Sequence, residues 1–101
     1  MGTLIYVRNL TKDVTSAQLF ELFAQAGEVA DVYLVTDRWT ATPKGFAFVQ
    51  MESESDAKRA VKLLNGSTWF NRTLLVRFTT ETDENLGGIM FRQKAGATNN
   101  D

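Results

Sequence analysis

The eight residues 44–51, KGFAFVQM, constrain the fold more than any other part of the sequence. Successive side chains of a β-strand point to opposite faces of the sheet. One face of this strand would carry small or aliphatic side chains: Gly45, Ala47, Val49 and Met51. The other face would carry Lys44, Phe46, Phe48 and Gln50. The opposite register would bury Lys44 and Gln50 and expose the aliphatic set, which is costly. The strand therefore has to place two phenylalanines on the face that points away from the core.

The remaining pattern predicts three more strands and two helices. Strands are expected at residues 4–8, 29–35 and 73–78, besides the one at 45–51, with a turn at Asn71-Arg72 before the last strand. The first helix would begin at Thr15 or Ser16 and run through Ala26 to a stop at Gly27. The second would begin at Ser53 or Ser55 and run to Leu64, before Asn65-Gly66. The order βαββαβ predicts an α+β, ferredoxin-like sandwich with a four-stranded antiparallel sheet packed on two helices.

Two helices can cover only one face of such a sheet, so the other face meets water or a partner. Tyr6 alternates with Ile5 and Val7, and it therefore joins Phe46 and Phe48 on the uncovered face. Soluble domains seldom leave an apolar patch of this kind without a use. Nucleobases stack on aromatic rings for about 1–3 kcal/mol per base, and only unpaired bases are free to do so. The pattern predicts three exposed rings that stack bases of a single strand.

Two segments resemble the signature sequences of the RNA recognition motif family. Residues 44–51 match its octamer at seven of eight positions, and residues 5–10, IYVRNL, are similar to its hexamer. The resemblance covers residues 3–80. With one such domain and a brief polar tail, the chain also resembles the small RNA-binding proteins of bacteria. The resemblance implies single-stranded RNA stacked on Tyr6, Phe46 and Phe48. The departure is Met51, where the family prefers an aromatic. Met51 would face the helices, so we expect changed packing and an intact binding face.

Cations are expected beside the rings, where RNA phosphates would lie. Arg8, Lys44 and Arg77 should project from the same face, with Gln50 as a further polar contact. For each cation alone, a solvated surface position is the alternative. The net charge of −1 and pI of about 5.4 are low for a nucleic-acid binder, but residues 1–80 hold nine Lys or Arg against eight Asp or Glu. Most acids belong to the helices; Asp31 is expected at the sheet edge.

Other aromatic and apolar residues have two interpretations each. Tyr33 either extends the stacking surface or is an ordinary edge-strand tyrosine. Trp39, between the second and third strands, either clamps a base or packs on its loop. Leu75 is a further possible contact on the fourth strand. Trp69 is expected to be structural, because this family usually places a core aromatic at the corresponding position.

The absence of cysteine and histidine removes thiolate metal sites and the commonest general base. We expect no enzyme activity, no metal and no cofactor. We read neither a secretion leader nor a membrane span, and we expect a monomeric, cytoplasmic protein (nuclear if the source is eukaryotic). The domain is expected to occupy residues 1–80.

Residues 81–101 are expected to form a flexible polar tail. Its apolar Ile89, Met90 and Phe91 either cover the sheet, extend its contacts or remain disordered. Two alternatives to RNA binding are a protein-binding module on the same fold and binding of single-stranded DNA. The three rings favour RNA over protein, whereas only contacts to the 2′-hydroxyl would separate RNA from DNA.

Overall fold

The computed structural model describes residues 3–37, 39–40 and 42–79. Eight helices and strands follow one another along this part of the chain: β1 (Leu4–Arg8), α1 (Ser16–Ala24), β2 (Val29–Thr36), β3 (Pro43–Met51), α2 (Glu54–Leu64), β4 (Thr68–Trp69), β5 (Arg72–Thr73) and β6 (Leu75–Phe78). The predicted tail, including Ile89, Met90 and Phe91, lies outside the described residues. The boundary at residue 80 therefore stays a prediction.

The main sheet has four antiparallel strands in the order β2-β3-β1-β6, which confirms the predicted fold. The two strands that carry the signature segments, β1 and β3, are neighbours at its centre. Tyr6 stands opposite Phe48 on β3 and opposite Arg77 on β6. The strand order therefore brings together residues that are more than forty positions apart in the chain.

Helix α1 begins as the sequence predicts and ends earlier. Thr15 Oγ accepts a hydrogen bond from the backbone N–H of Gln18 at 3.1 Å, and the Gln18 side chain accepts one from the Thr15 N–H at 3.0 Å. This capping box satisfies two N–H groups that the first turn leaves free. The helix ends at Ala24 rather than Ala26, because the backbone tightens: the Ala26 N–H donates to Phe23 O, three residues back.

The first turn of α2 lies so close to the end of α1 that residue 27 has no room for a side chain. Ser53 caps α2 by accepting a hydrogen bond from the Asp56 N–H at 3.1 Å. A Cβ atom at Gly27 would lie 2.8 Å from the Cβ of Asp56, closer than real side chains pack. Gly27 therefore allows the first turn of α2 to approach, and it is not the residue at which α1 ends.

The predicted fourth strand is divided into β5 and β6. A short hairpin pairs Trp69 with Arg72, so the turn is at Phe70-Asn71, one residue earlier than expected. Both turn residues have positive φ, 51° and 64°, as a two-residue type I′ turn requires. Leu74 leaves the strand geometry, and its N–H donates to Ser67 O at 2.8 Å. The hairpin carries Arg72 to the end of β1.

The main core lies between the sheet and the helices. Leu19 and Phe23 of α1 are fully buried there, beside inward-facing residues of β1 and β3. Met51 is 1% exposed and faces the helices, as its register predicts. Trp69 packs against the same core, which agrees with a structural role. Burial of each large apolar side chain contributes about 1.5–3 kcal/mol.

Candidate nucleic-acid interface

Three rings meet on the sheet face opposite the helices. Tyr6 of β1 lies 5.6 Å from Phe48 and 5.8 Å from Phe46, measured between ring centroids. Phe46 and Phe48 of β3 are 6.3 Å apart and meet edge to face. These are favourable distances for aromatic pairs. The predicted side of the sheet is therefore confirmed for all three rings.

The rings belong to a second apolar cluster, which is separate from the core on the helix side of the sheet. We call it the outer cluster, and it consists of Leu4, Tyr6, Tyr33, Val35, Phe46 and Phe48. Tyr33 of β2 stands opposite Phe48, so three strands contribute rings to one continuous surface. Leu4 and Val35 were not predicted in this cluster. Each lies two residues from a ring, Leu4 from Tyr6 and Val35 from Tyr33, and this spacing along a strand is the signal that places them on the same face.

The expected exposure of the rings is wrong for two of the three. Phe48 is 0% exposed and Tyr6 is 9% exposed, whereas Phe46 is half-buried. Phe48 has Tyr6 on one neighbouring strand and Tyr33 on the other, so side chains of its own face pack around it. Strand alternation determines the face to which a side chain points. It does not determine how closely the side chains of that face pack on one another.

A cation lies over one of these rings. The guanidinium carbon of Arg77 is 4.5 Å from the centroid of the Tyr6 ring, and Arg77 Nη1 donates to Phe78 O at 3.1 Å. An Arg over an aromatic face is held there by the ring quadrupole for about 0.5–2 kcal/mol. Arg77 thus projects from the predicted face, and it covers part of the surface that a base would use on Tyr6.

The other predicted contacts surround Phe46. Arg8 stands between Phe46 on β3 and Leu75 on β6. Lys44 precedes Phe46 by two residues, in a stretch where the pairing of β3 with β2 shifts register. Arg8 and Lys44 are exposed, and so is Leu75 at 42%. The most accessible ring of the trio is therefore the one nearest to two solvent-facing cations.

Gln50 lies at the opposite end of the cluster, across from Leu4. Its amide nitrogen donates to the Thr3 hydroxyl and to Met51 O, the latter at 3.4 Å. Both of these partners belong to the protein itself. The predicted RNA contact of Gln50 would use the hydrogen-bonding groups of its amide that these two partners leave, such as the carbonyl oxygen.

The β2 edge carries an acid, as expected. Asp31 Oδ1 accepts a hydrogen bond from the Val32 N–H at 2.8 Å. Burial raises the pKa of the Tyr33 hydroxyl, and a hydrogen bond to Asp31 and the charge of that carboxylate raise it further. This edge is therefore less favourable for phosphate than the side of the sheet that holds Arg8 and Arg77.

The loop after β2 is organised by Asp37. Its carboxylate accepts hydrogen bonds from the backbone N–H groups of Trp39 at 2.8 Å and Thr40 at 3.1 Å. These bonds, with a smaller contribution from Lys44, lower the pKa of Asp37. Trp39 is 86% exposed, which argues against the interpretation that it packs on its loop. Its contact with a base stays a prediction.

The described residues contain no group of three or more His, Cys, Asp or Glu side chains that could bind a metal ion. None of the helices in this described part is both long and apolar enough to cross a bilayer.

Comparison with known proteins agrees with this geometry. The profile of the RNA recognition motif family matches residues 5–75, and the chain belongs to that family. It is 39% identical over 87 residues to the putative RNA-binding protein RbpA of Synechocystis, with 86% of each chain covered. It is 49% identical over 77 residues to the chloroplastic 33 kDa ribonucleoprotein of Nicotiana sylvestris, which covers 76% of this chain and only 24% of that protein. Among solved structures, the Sxl-lethal protein/RNA complex has a TM-score of 0.76 and 35% identity, covering 79% of this chain and 48% of the other.

Proposed function

We propose that this chain binds single-stranded RNA on the helix-free face of its sheet, with a base stacked on Phe46 as the anchoring contact. The observation that carries the proposal is the half-buried Phe46 ring beside the exposed Arg8 and Lys44. A flat apolar ring takes a base, and the adjacent cations take the phosphates on either side of it. Paired bases are already stacked within their duplex, so the ligand is a single strand.

Tyr6 and Phe48 have different roles in this proposal. A base reaches Tyr6 when Arg77 leaves the ring and pairs with a phosphate, so the cation exchanges one partner for another. Phe48 is fully buried between Tyr6 and Tyr33, and it supports their positions. Direct stacking on Phe48 requires the surrounding side chains of the outer cluster to move.

The similar proteins support RNA as the ligand. RbpA carries the name of an RNA-binding protein, and the Sxl-lethal structure is a complex with RNA. This chain retains the aromatic trio that a base-stacking surface needs. The same similarity supports a binding role.

Fluorescence anisotropy with a labelled single-stranded RNA of mixed sequence tests the proposal. Phe46→Ala is expected to weaken binding by about fivefold or more, because one stacked base contributes about 1–3 kcal/mol. Phe20→Ala is the matched control: Phe20 is an exposed aromatic at 45%, but it lies on α1. Equal affinities of the two variants, with both folded, would contradict stacking on the sheet.

The finer properties of the protein are part of the same proposal. We take the ligand to be RNA rather than single-stranded DNA, and the active form to be a cytoplasmic monomer. A DNA of the same sequence should bind more weakly if the 2′-hydroxyl is contacted. Light scattering of the complex should give one chain per RNA.

A further inference from the structure

A basic cavity lies at the end of the sheet, beyond Phe46. Its volume is about 390 Å³, and its lining combines the loop after β1, the start of β3 and the short strand β5. The lining residues are Leu10, Thr11, Lys12, Asp13, Lys44, Gly45 and Arg72. Three cations and one carboxylate give this cavity a formal excess of two positive charges. Lys12 and Arg72 are the two cations that sequence analysis did not place at the interface.

The arrangement is held in place by hydrogen bonds around Asn9. Arg72 donates from Nε to Asn9 O and from Nη2 to Asn9 Oδ1, each at 3.1 Å. Asn9 has a positive φ of 72° and donates from Nδ2 to Thr73 O at 2.7 Å. The Leu10 N–H donates to Gly45 O at 2.9 Å, which ties the loop to β3. The cations are therefore carried on segments that are already fixed to one another, and little order has to be gained on binding.

Donors remain for a ligand. A guanidinium has five N–H donors, and Arg72 uses two of them on Asn9. Within the described ranges, an ion pair within 4 Å joins Arg59 and Asp56, and none involves Lys12, Lys44 or Arg72, although the charge of Lys44 acts on Asp37. A group with several acceptor oxygens and negative charge suits such a set, because charge-assisted hydrogen bonds are the stronger ones.

We propose that this cavity binds a phosphate of the RNA strand where the strand leaves the Phe46 ring, with Lys12 and Arg72 as its ligands besides Lys44. This inference rests on the proposed function of the sheet face, and it defines the direction in which the bound strand continues. Lys44 and Phe46 are two residues apart on β3, so a strand that continues beyond the base on Phe46 passes Lys44 and brings a later phosphate to the cavity. A bound RNA would thus leave the sheet past the C-terminal end of β1, at the cavity, and not over the β2 edge that carries Asp31.

The first experiment compares two RNA lengths with the full chain. An RNA of about four nucleotides occupies the rings alone, and one of about eight also reaches the cavity. For the longer RNA, Lys12→Gln should weaken binding about threefold at low salt and reduce the log–log salt slope by about 0.7. For the shorter RNA, the same variant should bind like the wild type. Lys58→Gln, on the exposed surface of α2, is the matched control.

Arg72 needs a variant that separates charge from geometry. Arg72→Gln removes both bonds to Asn9 and can disturb the hairpin, so Arg72→Lys is the more informative change. It keeps the charge and loses the fixed guanidinium. We expect it to weaken the longer RNA as Lys12→Gln does and to leave the shorter RNA unaffected. Wild-type affinity of both variants for the longer RNA would overturn the cavity as a phosphate site.

A second measurement needs no RNA and separates this inference from the proposed function. Inorganic phosphate is titrated into ¹⁵N-labelled protein at constant ionic strength, with chloride as the reference. The backbone N–H signals of Thr11 and Gly45 should shift, while those of Lys58 and Lys62 on α2 should not. Phosphate shifts without RNA binding by the wild type would contradict the sheet-face function alone. Equal shifts at the cavity and at α2 would contradict the cavity.

Discussion

The two faces of the sheet are built from the same strands, but their chemistry differs. The helix-side face is aliphatic, with Val7, Val49 and Met51 closed beneath the helices. The other face is aromatic, and arginines lie over it or beside it, as Arg77 does on Tyr6. Burial alone does not assign a residue to one face or the other, because Phe48 on the aromatic face is as buried as any core residue. What distinguishes them is the presence of flat rings and cations, which suit a ligand better than they suit a core.

The largest effect is expected from the helix-side face. Phe23→Ala removes a fully buried ring from α1 and should lower the free energy of unfolding by about 3–5 kcal/mol. The affinity of the folded variant for RNA should not change, because Phe23 lies on the helix side of the sheet. Urea denaturation gives the stability, and RNA titration of the folded protein gives the affinity. A loss of affinity larger than the loss of folded protein would show that the two faces are coupled.

Phe48→Ala should separate packing from binding within the outer cluster. Because Phe48 is fully buried, we expect a loss of about 3 kcal/mol in the free energy of unfolding. Phe46→Ala should cost less than about 1 kcal/mol, since Phe46 is half-buried and packs only on its own face. Thermal denaturation of the two variants measures the difference. If Phe46→Ala is the more destabilising, Phe46 is a core residue and the assigned roles are reversed.

The salt dependence of binding should be moderate. About three phosphate contacts, from Arg8, Lys44 and Arg77, predict a log–log slope near −2 for an RNA that covers the rings. Between 50 and 200 mM salt, affinity should then fall roughly 16-fold. Anisotropy titrations at several salt concentrations give the slope. A slope near −6 would require a much larger basic surface than this face provides.

Arg77→Met should have a smaller effect on stability than on binding. The contact over Tyr6 is partly exposed, so its loss should cost about 0.5–1 kcal/mol of unfolding free energy. Affinity for RNA should also fall, since a phosphate contact is lost with the charge. Differential scanning calorimetry and RNA titration give the two values. An increase in affinity would mean that Arg77 mainly blocks the Tyr6 ring.

The smallest effect concerns Tyr33. Its pKa is raised above the ordinary value of 10.0 in the folded protein, first by burial and then by Asp31. The stabilisation from the neutral hydroxyl is therefore complete below pH 10 and is lost as the pH rises through the folded pKa. Absorbance titration should show this late-titrating phenol, and Asp31→Asn should lower its pKa. If the pKa of Tyr33 is unchanged in Asp31→Asn, the Asp31 carboxylate does not raise it.

Local patterns in the sequence predict most of the fold. The register of β3 follows from the cost of burying Lys44 and Gln50, and Thr15 is one of the two residues predicted to begin α1, where the structure has it as the cap. The break at Leu74 was not predicted, because it depends on a contact with Ser67. The turn was predicted one residue too late, because pairing within the hairpin fixes it at Phe70-Asn71. Secondary-structure boundaries are decided by such tertiary contacts as often as by propensity.

The candidate site was predicted unevenly for the same reason. The face of each ring follows from alternation, but the burial of Phe48 depends on neighbours from two other strands. Arg72 was predicted as a turn residue, and no local pattern links it to Asn9. Only the folded hairpin brings the two together, so the basic cavity could not be found from spacing alone.

The most direct test of the account is the measurement of nuclear Overhauser contacts between a short single-stranded RNA and ¹³C-labelled protein. The account predicts contacts from base protons to the ring of Phe46, with weaker ones to Tyr6. It also predicts no contacts to Phe20, an aromatic side chain on α1 that is 45% exposed. Base contacts confined to α1 or α2, with the Phe46 ring signals unchanged, would contradict it.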